Sequence, residues 1–226
     1  MKLFGKELEL LILDVDGVLL DIQKTFKKNF IEAAQKMGLC EKPIKKYITE
    51  LSLGINHGVA NFTQTIKIIW PNLNDLEVHR FKKIFFRKEV ENPTSAIYGS
   101  LITVNMFSRL IPVALCTSNG LPELKQKLKR TRFNINQFSY ISSQESGHPK
   151  PDPRALTIIT DSLEIPKENT LFVGDWYPDW ECAKAAGIPF VAVLSGGIPE
   201  YAFIREGIPK DHIVESLFNI TKIIEP

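Results

Sequence analysis

Cysteine is scarce in this chain. The three residues, Cys40, Cys116 and Cys182, form no C-x-x-C pair and no Cys/His pairing. An odd, scattered set excludes a disulfide framework and a structural zinc site, and it fits reduced thiols in a cytoplasmic protein. Long apolar runs are missing as well. No stretch approaches the roughly 20 residues of a membrane-spanning helix, so no membrane partner is expected. The N-terminus has no basic stretch leading through an apolar run to a small-residue cleavage site, so no secretory leader is expected. Charge of one sign is also lacking. A net charge of +2 at pH 7 is too small to imply a nucleic-acid partner. No internal repeat or low-complexity tract interrupts the chain.

What is present is 226 residues, 44% hydrophobic and 24% charged, enough to bury a core. That length suggests one main domain carrying an insertion. Short apolar runs at Leu8 to Leu13, Val113 to Cys116, Phe138 to Ile141, Thr170 to Val173 and Phe190 to Leu194 predict strands covered on both faces. Helical patterns lie at Ser100 to Leu110, Pro122 to Arg130, Pro153 to Leu163 and Pro178 to Ala186. The last three open with proline, which suits a first helical turn. This alternation predicts an α/β fold, a parallel sheet with helices on both faces.

Between about Asp21 and Glu91 the alternation stops. Phe26, Phe30, Ala33, Ala34 and Met37 make one apolar stripe, ending at Gly38. Ile44, Tyr47, Ile48 and Leu51 make a second, and Val59, Phe62, Ile66 and Ile69 a third. Leu76 to Val90 makes a fourth before Asn92-Pro93. The expectation is an α-helical cap domain over 20–91, inserted into a core built from 1–19 and 92–226. Residues 20–97 carry 13 Lys/Arg against 8 Asp/Glu, and the remainder 15 against 18. Solvated helix faces account for most of these lysines, though a basic segment could also attract an anionic ligand.

Four segments carry candidate chemistry. The first strand runs into Asp14-Val15-Asp16-Gly17, two carboxylates where aspartate is a poor strand residue and costly to bury. In open parallel sheets this carboxyl end is where ligands bind, although Asp and Gly also form turns. The second strand ends in Thr117-Ser118-Asn119-Gly120, a hydroxyl and amides able to hold phosphate oxygens, or ordinary cap chemistry. His148-Pro149-Lys150-Pro151-Asp152-Pro153 can stiffly aim one lysine or be a rigid loop. Gly174-Asp175 and Asp179 follow the fourth strand. Asp175 is a hard oxygen ligand suited to Mg²⁺, and Asp179 is either a supporting residue or a helix cap.

Taken together, Asp14-x-Asp16-Gly17, Thr117, Lys150 and Gly174-Asp175-x-x-x-Asp179 resemble the four motifs of the haloacid dehalogenase superfamily, in their order and at strand ends. The likeness runs from residue 8 to about 197 and is greatest to the phosphoglycolate-phosphatase-like branch, whose helical cap lies between the first two motifs. The resemblance implies a Rossmann-like core and a Mg²⁺-dependent phosphatase acting on a small phosphorylated metabolite, of phosphoglycolate or sugar-phosphate type. By the same resemblance Asp14 is the nucleophile and Asp16 the general acid and base. Mg²⁺ would be held by Asp14, the main-chain carbonyl of Asp16, and Asp175. Thr117, Ser118, Asn119 and Lys150 would bind the phosphoryl group. From the cap, the Gly54-to-Gly58 turn offers Asn56 and His57 to the substrate, unless it is only an inter-helix turn.

The resemblance has rivals. A 2-haloacid dehalogenase would lack Asp16, since halide needs no proton to leave. A phosphomutase usually has a histidine near the position of Phe26. A non-catalytic binding protein of the same fold would have lost one of Asp14, Asp16, Lys150 or Asp175. Departures from the family pattern at Val18, Ile22, Trp176, Tyr177 and Trp180 bear on the substrate, not on the chemistry. The cap neither requires nor excludes partner subunits.

Overall fold

The computed structural model describes residues 1–3, 5–59 and 61–225. Six parallel strands form the central sheet: β1 (Leu10–Leu13), β2 (Val113–Cys116), β3 (Tyr140–Ser142), β4 (Thr170–Gly174), β5 (Phe190–Val193) and β6 (Ile213–Val214). Their order across the sheet is β6-β5-β4-β1-β2-β3. β1 is therefore central, with Leu13 level with Val173 on one side and Leu115 on the other. The next residue of each strand or turn emerges at one shared carboxyl edge.

The period of two along β1 sorts its side chains between two cores. Leu11 and Leu13 join Val104, Phe107, Leu124 and Leu128 from α5 (Ser100–Phe107) and α6 (Leu121–Arg130). Leu10 and Ile12 join Leu156, Ile159, Ala183 and Phe203 from α7 (Arg154–Leu163), α8 (Tyr177–Ala186) and α9 (Glu200–Arg205). The fold is Rossmann-like α/β, as the alternation predicts. All three cysteines are free, and no described helix is long and apolar enough to cross a membrane.

Four helices interrupt the chain after β1: α1 (Gln23–Lys36), α2 (Lys42–Ser52), α3 (Phe62–Ile69) and α4 (Asp75–Glu91). They share an apolar cluster of their own, centred on fully buried Phe30 with Trp70, Phe81 and Phe85 around it. α4 starts at a capping box, Asn74 accepting from the Glu77 amide while the Glu77 carboxylate accepts from the Asn74 amide. Several of the excess lysines here pair along helix faces, such as Lys45 with Glu41 and Lys46 with Glu50. That is the solvated-face reading of the basic segment.

The structure departs from the sequence expectations in several places. β6 is only two residues long, too short to leave a pattern. Phe138 packs in the core ahead of β3 and does not pair in the sheet. The helical segment is also entered and left through a short antiparallel ribbon, Leu20–Asp21 against Ser95–Ala96. The ribbon holds the two crossings side by side.

Candidate active site

Three of the predicted carboxylates converge at the carboxyl edge. Asp14, Asp175 and Asp179 are each buried, and each brings an oxygen within 4.8 Å of the others. Lys150, 7% exposed, reaches them from the proline-rich loop, with Nζ 2.7 Å from Asp14 Oδ1 and 2.6 Å from Asp179 Oδ1. It also donates to the Cys116 carbonyl at 3.2 Å. Asp179 touches both the start of α8 and Lys150. Its Oδ2 accepts from the amides of Asp175 and Trp176 at the start of α8, while Oδ1 holds Lys150.

Burial pushes the Asp14 carboxyl up to about 7, against the pull of Lys150. Asp175 is driven well above the usual carboxylate range by burial, then by the charges of Asp14 and Asp179. Burial acts against the Lys150 charge, yet Asp14 and Asp179 outweigh it and hold the amine well above an ordinary lysine. Three buried carboxylates face one ammonium, so all three can be ionised together only if a further cation joins them. Asp175 Oδ1 is also buried with no hydrogen-bond partner among the described residues. The backbone is pressed close around that carboxylate. A Cβ at Gly17, which sits at φ +90°, or at Gly196 would overlap it. A small, hard divalent cation such as Mg²⁺ fits this donor set and charge.

Asp16 turns elsewhere. Its carboxylate accepts from Asn119 Nδ2 at 2.7 Å and from Lys127 Nζ at 3.1 and 3.2 Å. Asn119 also donates to Thr117 Oγ1 at 2.8 Å, and the Asn119 amide does so at 3.2 Å. With its lone pairs so engaged, the Thr117 hydroxyl retains its proton for an acceptor in the site. Asn119 is thus a link between Thr117 and Asp16, while Ser118 beside it is exposed. The Leu121 amide at the start of α6 is already taken by Glu145.

Asn56 and His57 are engaged away from this cluster. Asn56 Oδ1 accepts from the Gly58 amide at 2.7 Å and closes its own turn. His57 stacks on Tyr177, with ring centroids 4.1 Å apart, and lies 3.1 Å from Glu206 and 3.7 Å from Glu181. Arg205 donates to the Gly54 carbonyl, and Gly58 lies so close to the Trp176 ring that a Cβ there would overlap it. The turn, read above as offering side chains to substrate or as only an inter-helix turn, fastens the helical segment onto α8 and α9. The bulky Trp176 and Tyr177 are the surface it rests on.

Sequence reasoning missed two parts of the site. Lys127 was one basic residue among several on α6, and only the folded chain shows its side chain 11% exposed beside Asp16. Ser195-Gly196 follows β5, where Ser195 Oγ donates to the Gly17 carbonyl at 2.6 Å and Gly196 backs Asp175. A Ser-Gly-Gly run leaving an apolar strand at the edge that carries the other motifs was the available signal.

Comparison with known proteins agrees with this architecture. The family model described as haloacid dehalogenase-like hydrolase matches residues 11–193. The chain is 26% identical over 186 residues to a phosphorylated carbohydrates phosphatase of Thermotoga maritima, covering 80% of this chain and 82% of that one. It is 25% identical over 226 residues to a phosphoglycolate phosphatase of Nitrosospira multiformis, covering 98% of each. Among solved structures, a hydrolase from Pseudomonas syringae aligns with TM-score 0.74 and 18% identity, over 95% of this chain and 96% of that one. A haloacid dehalogenase-like family hydrolase from Streptococcus pneumoniae aligns with TM-score 0.72 and 12% identity, over 95% and 97%. With its model matched across most of the length and its motif residues gathered at one sheet edge, the chain belongs to the haloacid dehalogenase-like hydrolases.

Proposed function

We propose that this protein is a Mg²⁺-dependent phosphatase of small phosphorylated metabolites, of phosphoglycolate or sugar-phosphate type, working through an aspartyl-phosphate on Asp14. The observation that carries the reading is the buried set of Asp14, Asp175, Asp179 and Lys150, with Asp16 beside it. The phosphatase names of the relatives support the same class. Residues 20–91 act as the cap domain over a core of 1–19 and 92–226.

Lys150 holds one oxygen of Asp14, which leaves the other to attack phosphorus. The P–O bond to the leaving group breaks as the Asp14–phosphorus bond forms, and Asp16 gives its proton to the departing alkoxide. Water then attacks the phosphorus, Asp16 takes its proton, and the bond to Asp14 breaks. Thr117 donates to a phosphoryl oxygen, with the Ser118 amide beside it, while Lys150 offsets charge on the transferring group. Asp14, Asp175 and the Asp16 carbonyl would hold the metal. Bound there, Mg²⁺ would neutralise charge between an anionic nucleophile and an anionic phosphate. Asp16 speaks against dehalogenation, where no proton is needed. Asp179 positions Lys150 and the Asp175 backbone.

The test is release of inorganic phosphate from a panel of phosphorylated metabolites, with and without Mg²⁺, by the native protein and Asp14→Asn. Metal-dependent release that the substitution abolishes is expected, and the best substrate names the function. No release from any compound would overturn the reading.

A further inference from the structure

Lys127 is a buried ammonium. Burial opposes its charge, but Asp16, Glu89 and Glu123 outweigh it and hold the amine well above an ordinary lysine. Its ammonium faces Asp16, Asn119 Oδ1 at 2.9 Å, Glu123 at 2.9 Å and Glu89 at 3.6 Å. Glu123 shares its helix. Glu89 does not. It comes from α4 of the helical segment, and its side chain is 18% exposed. The pair sits in a cleft between α4 and α6, lined also by Phe86, Pro93 and Gly120.

The bonds have a direction that matters. Lys127 can only donate, so the Asn119 oxygen must face it. That fixes the Asn119 Nδ2 group toward Asp16 and Thr117 at once. Without the ammonium the Asn119 oxygen loses its donor and the amide is held from one side only, and Asp16 loses two of its three bonds.

We infer that Lys127 is a positioning residue, which holds Asp16 directly and Thr117 through Asn119, and that Glu89 ties this arrangement to the docked α4. The inference rests on the phosphatase reading, because the step served is proton delivery by Asp16. Its mark is a dependence on the leaving group. p-Nitrophenolate departs without a proton, whereas an alkoxide needs one.

The test is steady-state kinetics of the native protein, Lys127→Met, Lys127→Arg and Glu89→Gln on p-nitrophenyl phosphate and phosphoglycolate, with saturating Mg²⁺. Lys127→Met should lower kcat on phosphoglycolate about 10- to 100-fold, in the range seen when a partner of a site ligand is removed. KM should stay within about threefold, and kcat/KM on the aryl ester, which reports formation of the aspartyl-phosphate, should fall much less than on phosphoglycolate, since only the alkoxide takes a proton from Asp16. Lys127→Arg should recover most of the loss. Adding Glu89→Gln to Lys127→Met should cost nothing further, because the two act together. Equal losses of kcat/KM on both esters, or a loss confined to KM, would overturn the proposal and leave Lys127 a structural residue.

Hydrogen exchange supplies a readout that needs no turnover. Lys127→Met should speed exchange at residues 16–20 and 86–91 and leave β4 unchanged. Unchanged exchange in both segments overturns the coupling to α4. Native protein that hydrolyses neither ester overturns the phosphatase reading and the positioning role with it, and exchange then decides the coupling alone.

Discussion

Asp14 and Asp16 stand one residue apart, and their surroundings separate them. Asp14 is buried against Lys150 and two other carboxylates, while Asp16 is partly exposed and tied to Asn119 and Lys127. A strand's period of two would keep them on one face, but the chain leaves the strand at Leu13 and turns between them, so the two side chains find different partners. Glu89 shows what burial does to a carboxylate given only a partial partner. Its removal from water pushes it up to about 7, against the attraction of Lys127. The folded protein keeps a proton there up to about pH 7, whereas the unfolded chain loses it near 4.5, as an ordinary glutamate does. Stability from this group is therefore complete below about pH 4.5 and declines as the pH rises through 7. Glu89→Gln cannot titrate, so it should lack that decline and be the more stable form at pH 8 by up to about 3 kcal/mol. Urea unfolding of both proteins at pH 5 and pH 8 measures this, and parallel pH slopes would contradict it.

At the scale of elements, the helical segment is a small core hung on a ribbon. Phe30 fills its centre, so Phe30→Ala should cost about 3–5 kcal/mol of the segment's stability. Thermal unfolding and hydrogen exchange should place that loss in α1 and α4 with the central sheet spared, and a uniform loss would show that the two parts unfold as one. The stripes that specify these helices were legible because each is long and regular, as Phe26 to Met37 shows. The connections were not. A ribbon of two residues against two has no period, and neither does β6. The turn at Gly54 to Gly58 was recognisable as a turn. Which surface it would meet depended on Trp176, Tyr177 and Arg205, more than a hundred residues away in the chain, and no local pattern records that distance.

At the scale of the molecule, the sheet brings six residues of four separate segments together. Asp14, Asp16, Thr117, Lys150, Asp175 and Asp179 were readable because each lies at or near a strand end, and a parallel sheet gathers such ends at one edge. Lys127 and Glu89 were not, since each lies on a helix face where lysine and glutamate are common. Their meeting with Asp16 spans 111 positions for Lys127. The central claim is that Asp14 becomes phosphorylated during turnover. The most direct test is rapid quenching during hydrolysis of phosphoglycolate or another panel substrate, reduction with borohydride, and mass spectrometry of the peptide that carries residues 14 and 16. An acyl phosphate on Asp14 is reduced to homoserine, so the account predicts homoserine at position 14, only with substrate and Mg²⁺ present, and none in Asp14→Asn. Turnover with Asp14 unmodified, or with the label at another carboxylate, would contradict it.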